Sequence, residues 1–194
     1  MNSLQNHPEF ARLEFHVDYF DTDEFRDPFD NHAYTLRQKA EAKATTNGFY
    51  ATPQIWVDGQ PWRDWPKPDP PKLSAPNSST LVMTVASGPP MRTTFALTSP
   101  NHGENEEFNL FAVVTESGLA SAVTGGENKG KRFVQDNVVY SLVGPLPAAD
   151  AEIQLKLPHG VDLSHVSVVG FLQNKRDNKV IDVVRIRLNT CNKQ

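Results

Sequence analysis

The chain has 194 residues, a formal net charge of −4, 38% hydrophobic and 22% charged residues; this bounds it to one large or two small folded domains rather than a disordered chain. The acidic balance gives no electrostatic reason to bind nucleic acid or an anionic membrane, and no apolar run approaches the roughly 20 residues of a membrane-spanning helix. Fifteen prolines and eleven glycines favour turns and β structure over a helical bundle.

Residues 1–8 lack the apolar core of a signal peptide, so the sequence itself assigns no location. From Arg12 to Phe20 the chain alternates, with Leu13, Phe15, Val17 and Tyr19 on one side and Arg12, Glu14, His16, Asp18 and Phe20 on the other, which predicts a strand. The run Asp21-Thr22-Asp23-Glu24 ends it, because adjacent carboxylates want water. Asp30 or Asn31 is the expected N-cap of a helix reaching Thr46, with Gly48 as its stop and Ala33, Leu36, Ala40 and Ala44 as its apolar stripe.

Pro53 to Val57 reads as a strand, Asp58-Gly59 as a tight turn and Gln60 to Trp62 as a short return strand. Pro61, Pro66, Pro68, Pro70, Pro71 and Pro76 then exclude a helix, so residues 63–78 are expected to be an extended linker. Trp56, Trp62 and Trp65 are expected to pin that linker to the front segment; a proline-motif docking surface is the alternative.

From Thr80 on, the pattern is strands of period two between turn signals. The expected strands are 80–86, 91–98, 107–115, 132–143, 151–157, 165–173 and 179–188. Strands at this spacing predict a β-sandwich.

Three segments resemble the family catalogued as domain of unknown function 1223. They are His16-Val17-Asp18-Tyr19-Phe20-Asp21 with Phe25-Arg26-Asp27-Pro28-Phe29 and Arg37-Gln38-Lys39-Ala40; Ala51-Thr52-Pro53-Gln54-Ile55-Trp56-Val57-Asp58-Gly59; and Gly126-Glu127-Asn128-Lys129-Gly130 with Asn137-Val138-Val139. The resemblance implies a thioredoxin-like front domain and a C-terminal β-sandwich, in proteins usually exported from bacteria to an extracytoplasmic or periplasmic place. It also implies an N-terminal strand and a Gly-Cys-x-x-Cys-Pro-Pro-like loop, for which this sequence offers no matching residues. The family's helix after the Asp-Gly turn is replaced here by the proline run.

The fold class that follows is mixed α+β: a truncated thioredoxin-like α/β segment followed by a mainly antiparallel β-sandwich. The expected divisions are 1–62, a linker over 63–78, and 79–190. The candidate binding residues are His16, Asp18, Asp21, Thr52, Pro53, Glu127 and Asn128. His16 and Asp18 lie two apart on the expected strand, hence on one face, with Asp21 at its end, so the three are also the candidate ligands for a divalent metal. Capping and turn hydrogen bonds by Asp18 and Asp21 are the competing role. Thr52-Pro53 matches the cis-proline loop of thioredoxin-like folds, which implies either a docking loop for a substrate backbone or a retained structural turn. The loop 125–130 lacks the Lys-Ser/Thr ending of a phosphate cradle and reads as a hairpin loop, with Glu127 or Asn128 tying it to neighbouring backbone.

The single cysteine, Cys191, excludes a Cys-x-x-Cys pair within this chain, and no catalytic residue or cofactor is expected. The leading expectation is a non-catalytic accessory or binding protein with an unidentified protein or peptide partner, with homodimerisation through unpaired strand edges as a second mode. The alternatives are a member of a thiol–disulfide oxidoreductase-like family whose cysteine segment is missing, and a divalent-metal-binding protein.

Overall fold

A computed structural model describes residues 10–67, 71–72, 80–86, 91–98, 107–126, 128–157 and 159–188. The described elements are one α-helix, α1 (His32–Thr45), one short 3-10 helix (Leu163–His165) and eleven strands: β1 (Trp56–Val57), β2 (Gln60–Pro61), β3 (Thr80–Ala86), β4 (Met91–Thr98), β5 (Phe108–Glu116), β6 (Leu119–Ala122), β7 (Arg132–Gln135), β8 (Val138–Pro147), β9 (Ala151–Leu155), β10 (Val166–Asn174) and β11 (Val180–Arg187). The chain is mixed α+β, a helix followed by antiparallel sheets.

A four-stranded sheet in the order β11-β10-β5-β8 faces a three-stranded sheet in the order β3-β4-β9. Period two decides what lies between them. On β5 and β10, Leu110, Ala112, Val114, Val166, Val168 and Leu172 point inward and meet Leu81, Met83, Met91, Phe95, Ile153 and Leu155 of the smaller sheet. At Gly170 the two sheets approach closely: a Cβ there would stand 2.2 Å from Cε1 of Phe95, which is itself wholly buried.

The intervening residues of the same strands, Phe111, Val113, Val169 and Phe171, point outward and are also buried. They join Val139 beneath Tyr34 of α1 and beneath Ala11, Leu13 and Phe15 of the front segment. Strands buried on both faces require a third layer, and the front segment supplies it.

That segment corrects the expected strand over Arg12–Phe20. Only Glu14 forms a β-bridge, parallel to Val138, through Glu14 N–H to Asn137 O (2.9 Å) and Val139 N–H to Glu14 O (2.9 Å). Leu13 and Phe15 keep the predicted alternation, and Ala11 extends it by one position before the expected strand. Beyond them the main chain turns to side-chain partners: Asp18 N–H donates to Thr35 Oγ1 (3.1 Å), and Asp21 N–H folds back to Asp18 O.

Of the two expected caps, Asp30 and Asn31, the helix uses Asn31, whose side chain accepts from Ala33 N–H. Its buried face differs from the expected stripe. Tyr34, Thr35 and Ala42 are buried, whereas Ala33, Leu36, Ala40 and Ala44 are exposed. The reason is Arg37. Its guanidinium lies 4.6 Å from the centroid of Phe111 and 5.8 Å from that of Phe171, pairs with Glu41 at 3.0 Å, and donates to Gln173 Oε1. Gln173 in turn donates to Glu41 Oε1 (3.2 Å). A polar triad over two stacked rings fastens the helix, so its packing face is not its most apolar one.

Asp58 (φ 50°) and Gly59 (φ 75°) form the tight turn of the β1–β2 hairpin, in the conformation that favours Asp-Gly. The expected strand 132–143 is split, because Asn137 adopts φ 58° and β7 folds back on β6, a strand not predicted from the sequence. Trp62 to Lys67 is turn-rich, and the remainder of the expected linker lies largely outside the described residues, which cover only 71–72 beyond it.

Candidate functional site

His16, Asp18 and Asp21 lie near the start of α1 but bond to neighbours rather than to one another: His16 and Asp21 to Asp27, and Asp18 to His32 and Thr35. Nδ1–H of His16 donates to Asp27 Oδ2 at 2.6 Å, and the imidazole side chain is only 9% exposed. Asp18 instead receives Nδ1–H of His32 at 2.7 Å and the hydroxyl of Thr35 at 2.6 Å. Asp21 Oδ1 accepts from the Asp27 main-chain N–H. Asp27 also caps Phe29 N–H. The sequence reading missed Asp27, Asp30, His32 and Thr35; Asp27-Pro28 before a helix cap was the signal that could have found the first.

The electrostatics follow from these contacts. Thr35 and His32 hydrogen bonds hold the Asp18 carboxyl below its ordinary range. Burial pushes Asp27 up, but His16 and the Phe29 N–H outweigh it and leave the carboxyl lowered. Asp30 is raised, by burial and by the neighbouring Asp21, Asp27 and Asp18 carboxylates. Because the carboxyls are consumed in separate bonds, no group of three or more His, Cys, Asp or Glu side chains among the described residues is placed to hold a metal ion.

The second candidate region adjoins the first. The Tyr19 hydroxyl lies 2.6 Å from Thr52 Oγ1, and Tyr19 packs against Phe20 and Tyr50. The Thr52–Pro53 peptide is cis. Gln38 of α1 holds the loop by donating to Ala51 O (2.7 Å) and Gln54 Oε1 (3.1 Å). The main-chain N–H and C=O of Thr52 and Gln54 form no hydrogen bond among the described residues.

Beside the loop lies a groove of about 470 Å³. Its walls include Phe49, Pro53, Ile55, Trp62 and Trp65, with Arg63 as the one charged side chain among the described residues that line it. Trp62 is anchored through its N–H to Ile55 O (2.8 Å). The β1–β2 hairpin that carries this wall is itself docked on the sandwich: Val180 N–H donates to Asp58 O (3.0 Å) and Gln60 Nε2 to Asp177 O (2.9 Å).

Of the loop candidates, Glu127 lies outside the described residues. Asn128 works within its own turn, accepting from Lys131 Nζ (2.8 Å). Residues 124 and 125 reach the acidic apex: Thr124 Oγ1 donates to Glu24 O, and a Cβ on Gly125 would stand 3.1 Å from Cβ of Glu24 and 3.2 Å from Cβ of Phe25.

Among the described residues, no helix is long and apolar enough to cross a membrane. The profile of a family described as "Protein of unknown function (DUF1223)" matches residues 1–173. No curated protein matches the chain. Among solved structures it is similar to HBP35 of Porphyromonas gingivalis at 13% identity and a TM-score of 0.43, over 61% of this chain and 44% of that one. It is also similar to a domain of the outer membrane lipoprotein Omp28 from Porphyromonas gingivalis at 12% identity and a TM-score of 0.35, over 58% of this chain and 89% of that one. The chain thus spans less than half the length of the first, and neither likeness is close enough to carry an argument.

Proposed function

The chain belongs to the DUF1223 family, and from that premise we propose that it is a non-catalytic binding protein. Its thioredoxin-like front layer presents the Thr52–Pro53 loop and the Trp62–Trp65 wall as a groove for an extended peptide segment of a partner protein. The observation that carries this reading is the unpaired main chain of Thr52 and Gln54 beside an aromatic wall. Main-chain donors and acceptors seek partners, and a peptide laid alongside as a strand would satisfy them while its side chains met the tryptophans. Arg63 favours an acidic residue in that peptide.

With a single cysteine in the chain, thiol–disulfide exchange would lack the resolving thiol that it needs. The unpaired-edge dimer has less support, since Glu14 already engages Asn137 and Val139 at the side of β8 away from β5. An extracytoplasmic setting belongs to the same proposal; it rests on the family resemblance, and cell fractionation tests it.

The experiment is a screen of acidic extended peptides read by tryptophan fluorescence, followed by calorimetry on wild type and Trp65→Ala. A saturable change lost in Trp65→Ala supports the groove. Turnover of a disulfide substrate that is abolished by Cys191→Ser would overturn the non-catalytic assignment.

A further inference from the structure

A second groove, of about 320 Å³, lies between Pro28–Tyr34 and the beginning of β8. Phe29, Tyr34 and Tyr140 line it as aromatic residues, and Asp30 and Glu116 as charged ones. Neither lysine nor arginine is among the described residues that line it.

The two carboxyls have no salt-bridge partner among the described residues. Both are raised, Asp30 by burial and by Asp21, Asp27 and Asp18, Glu116 by burial against the opposing influence of His165. The groove therefore combines aromatic surface with two carboxyls that no lysine or arginine among its described lining residues neutralises. Tyr34 is 4% exposed, and its hydroxyl is buried without a hydrogen-bond partner among the described residues. Burial pushes its phenol up to about 12, so it remains a neutral donor and acceptor. Tyr140, by contrast, is 46% exposed and accessible from solvent.

These features select the ligand by charge complementarity. An anion would be repelled by Asp30 and Glu116. A neutral apolar ligand would strip water from both carboxyls and return nothing for it. A metal ion would need converging ligands that the described residues do not provide. An organic cation meets each requirement at once, because its alkyl surface and diffuse charge suit aromatic rings while carboxylates take up the charge.

We propose that this groove binds an alkylammonium group, held by Phe29, Tyr34 and Tyr140 and neutralised by Asp30 and Glu116. It is distinct from the peptide groove at Thr52–Pro53, and either can fail without the other. The ammonium is supplied either by a free amine or by a lysine side chain, and the chemistry is the same for both.

The test is an amide and aromatic NMR titration of the full chain at fixed ionic strength, using n-butylammonium, tetramethylammonium, Nα-acetyl-lysine methylamide and neutral neopentyl alcohol. We expect saturable shifts at Tyr34, Tyr140, Glu116 and Leu119 with the ammonium probes and none with the alcohol. Binding should weaken about tenfold in Glu116→Gln and in Tyr140→Ala; the exposure of Tyr140 makes the second variant safe for folding. Tighter binding of n-butylammonium than of the lysine derivative identifies a free amine, and the reverse order a peptide lysine; both support the site. Equal shifts with neopentyl alcohol, saturation elsewhere on the molecule, no saturation with any probe, or undiminished binding in both variants would overturn it.

Discussion

At the scale of residues, the front layer is held by polar contacts made in a mostly apolar setting. Arg37 loses hydration under α1, and burial depresses its pKa while Glu41 opposes that. Removing one member of such a pair leaves the other charge uncompensated. Arg37→Met is therefore expected to cost about 3–5 kcal/mol in urea unfolding, with part recovered in Arg37→Met combined with Glu41→Leu. Additive losses would mean that the pair is not coupled.

The same scale sets the acid response. Asp18 and Asp27 are lowered in the folded state, so their contribution is complete above the ordinary carboxylate pKa of roughly 4 and is lost as pH falls through their folded values. Asp30 and Glu14 are raised, in both chiefly by burial, and have the opposite sign: protonation favours the folded form as pH falls through their raised values. Asp27→Asn is expected to lower stability at neutral pH and to flatten its decline on acidification, measured as urea midpoint against pH. An unchanged slope would remove Asp27 from the account.

At the scale of elements, the β1–β2 hairpin depends on a glycine. A Cβ on Gly59 would stand 1.8 Å from the Asn178 carbonyl oxygen, at a φ of +75°. Backbone cannot yield as a flexible side chain can, so Gly59→Ala is expected to lift the hairpin from the β10–β11 turn and cost about 1–3 kcal/mol. Because the hairpin leads directly into Trp62, the same variant should alter tryptophan emission; native emission and stability together would show that the docking is dispensable. The helix start is a milder case. Asn31→Ala removes the acceptor for Ala33 N–H and should cost about 1 kcal/mol.

At the scale of the whole molecule, the three layers are interdependent. Phe111, Val113, Val139, Val169 and Phe171 are buried by the front segment and α1, and fully burying such side chains is worth about 1.5–3 kcal/mol each. A fragment of residues 79–190 would expose that face. We expect it to self-associate and bind a hydrophobic dye, as measured by sedimentation and fluorescence, with a lower unfolding midpoint than the full chain. A monomeric fragment of undiminished stability would instead mark 79–190 as an independent unit.

The sequence by itself determined the local elements whose signals are short in range. A helix cap at Asp30 or Asn31, the Asp58-Gly59 turn and the period-two strands from Thr80 on each follow from side-chain and backbone chemistry within a few residues. So did the family, through motifs that lie in order along the chain. Tertiary structure decided the rest. Alanine and leucine spacing suggested one face of α1, but Arg37 could take the opposite face inward because Gln173 and two phenylalanines, over seventy residues away, were there to receive it. His16 and Asp18 shared a strand face in the pattern, yet Asp27, His32 and Thr35 drew them to separate bonds. Partners so distant in sequence leave no periodicity to read. Both grooves were hidden for the same reason, since each is formed by segments that only packing brings side by side.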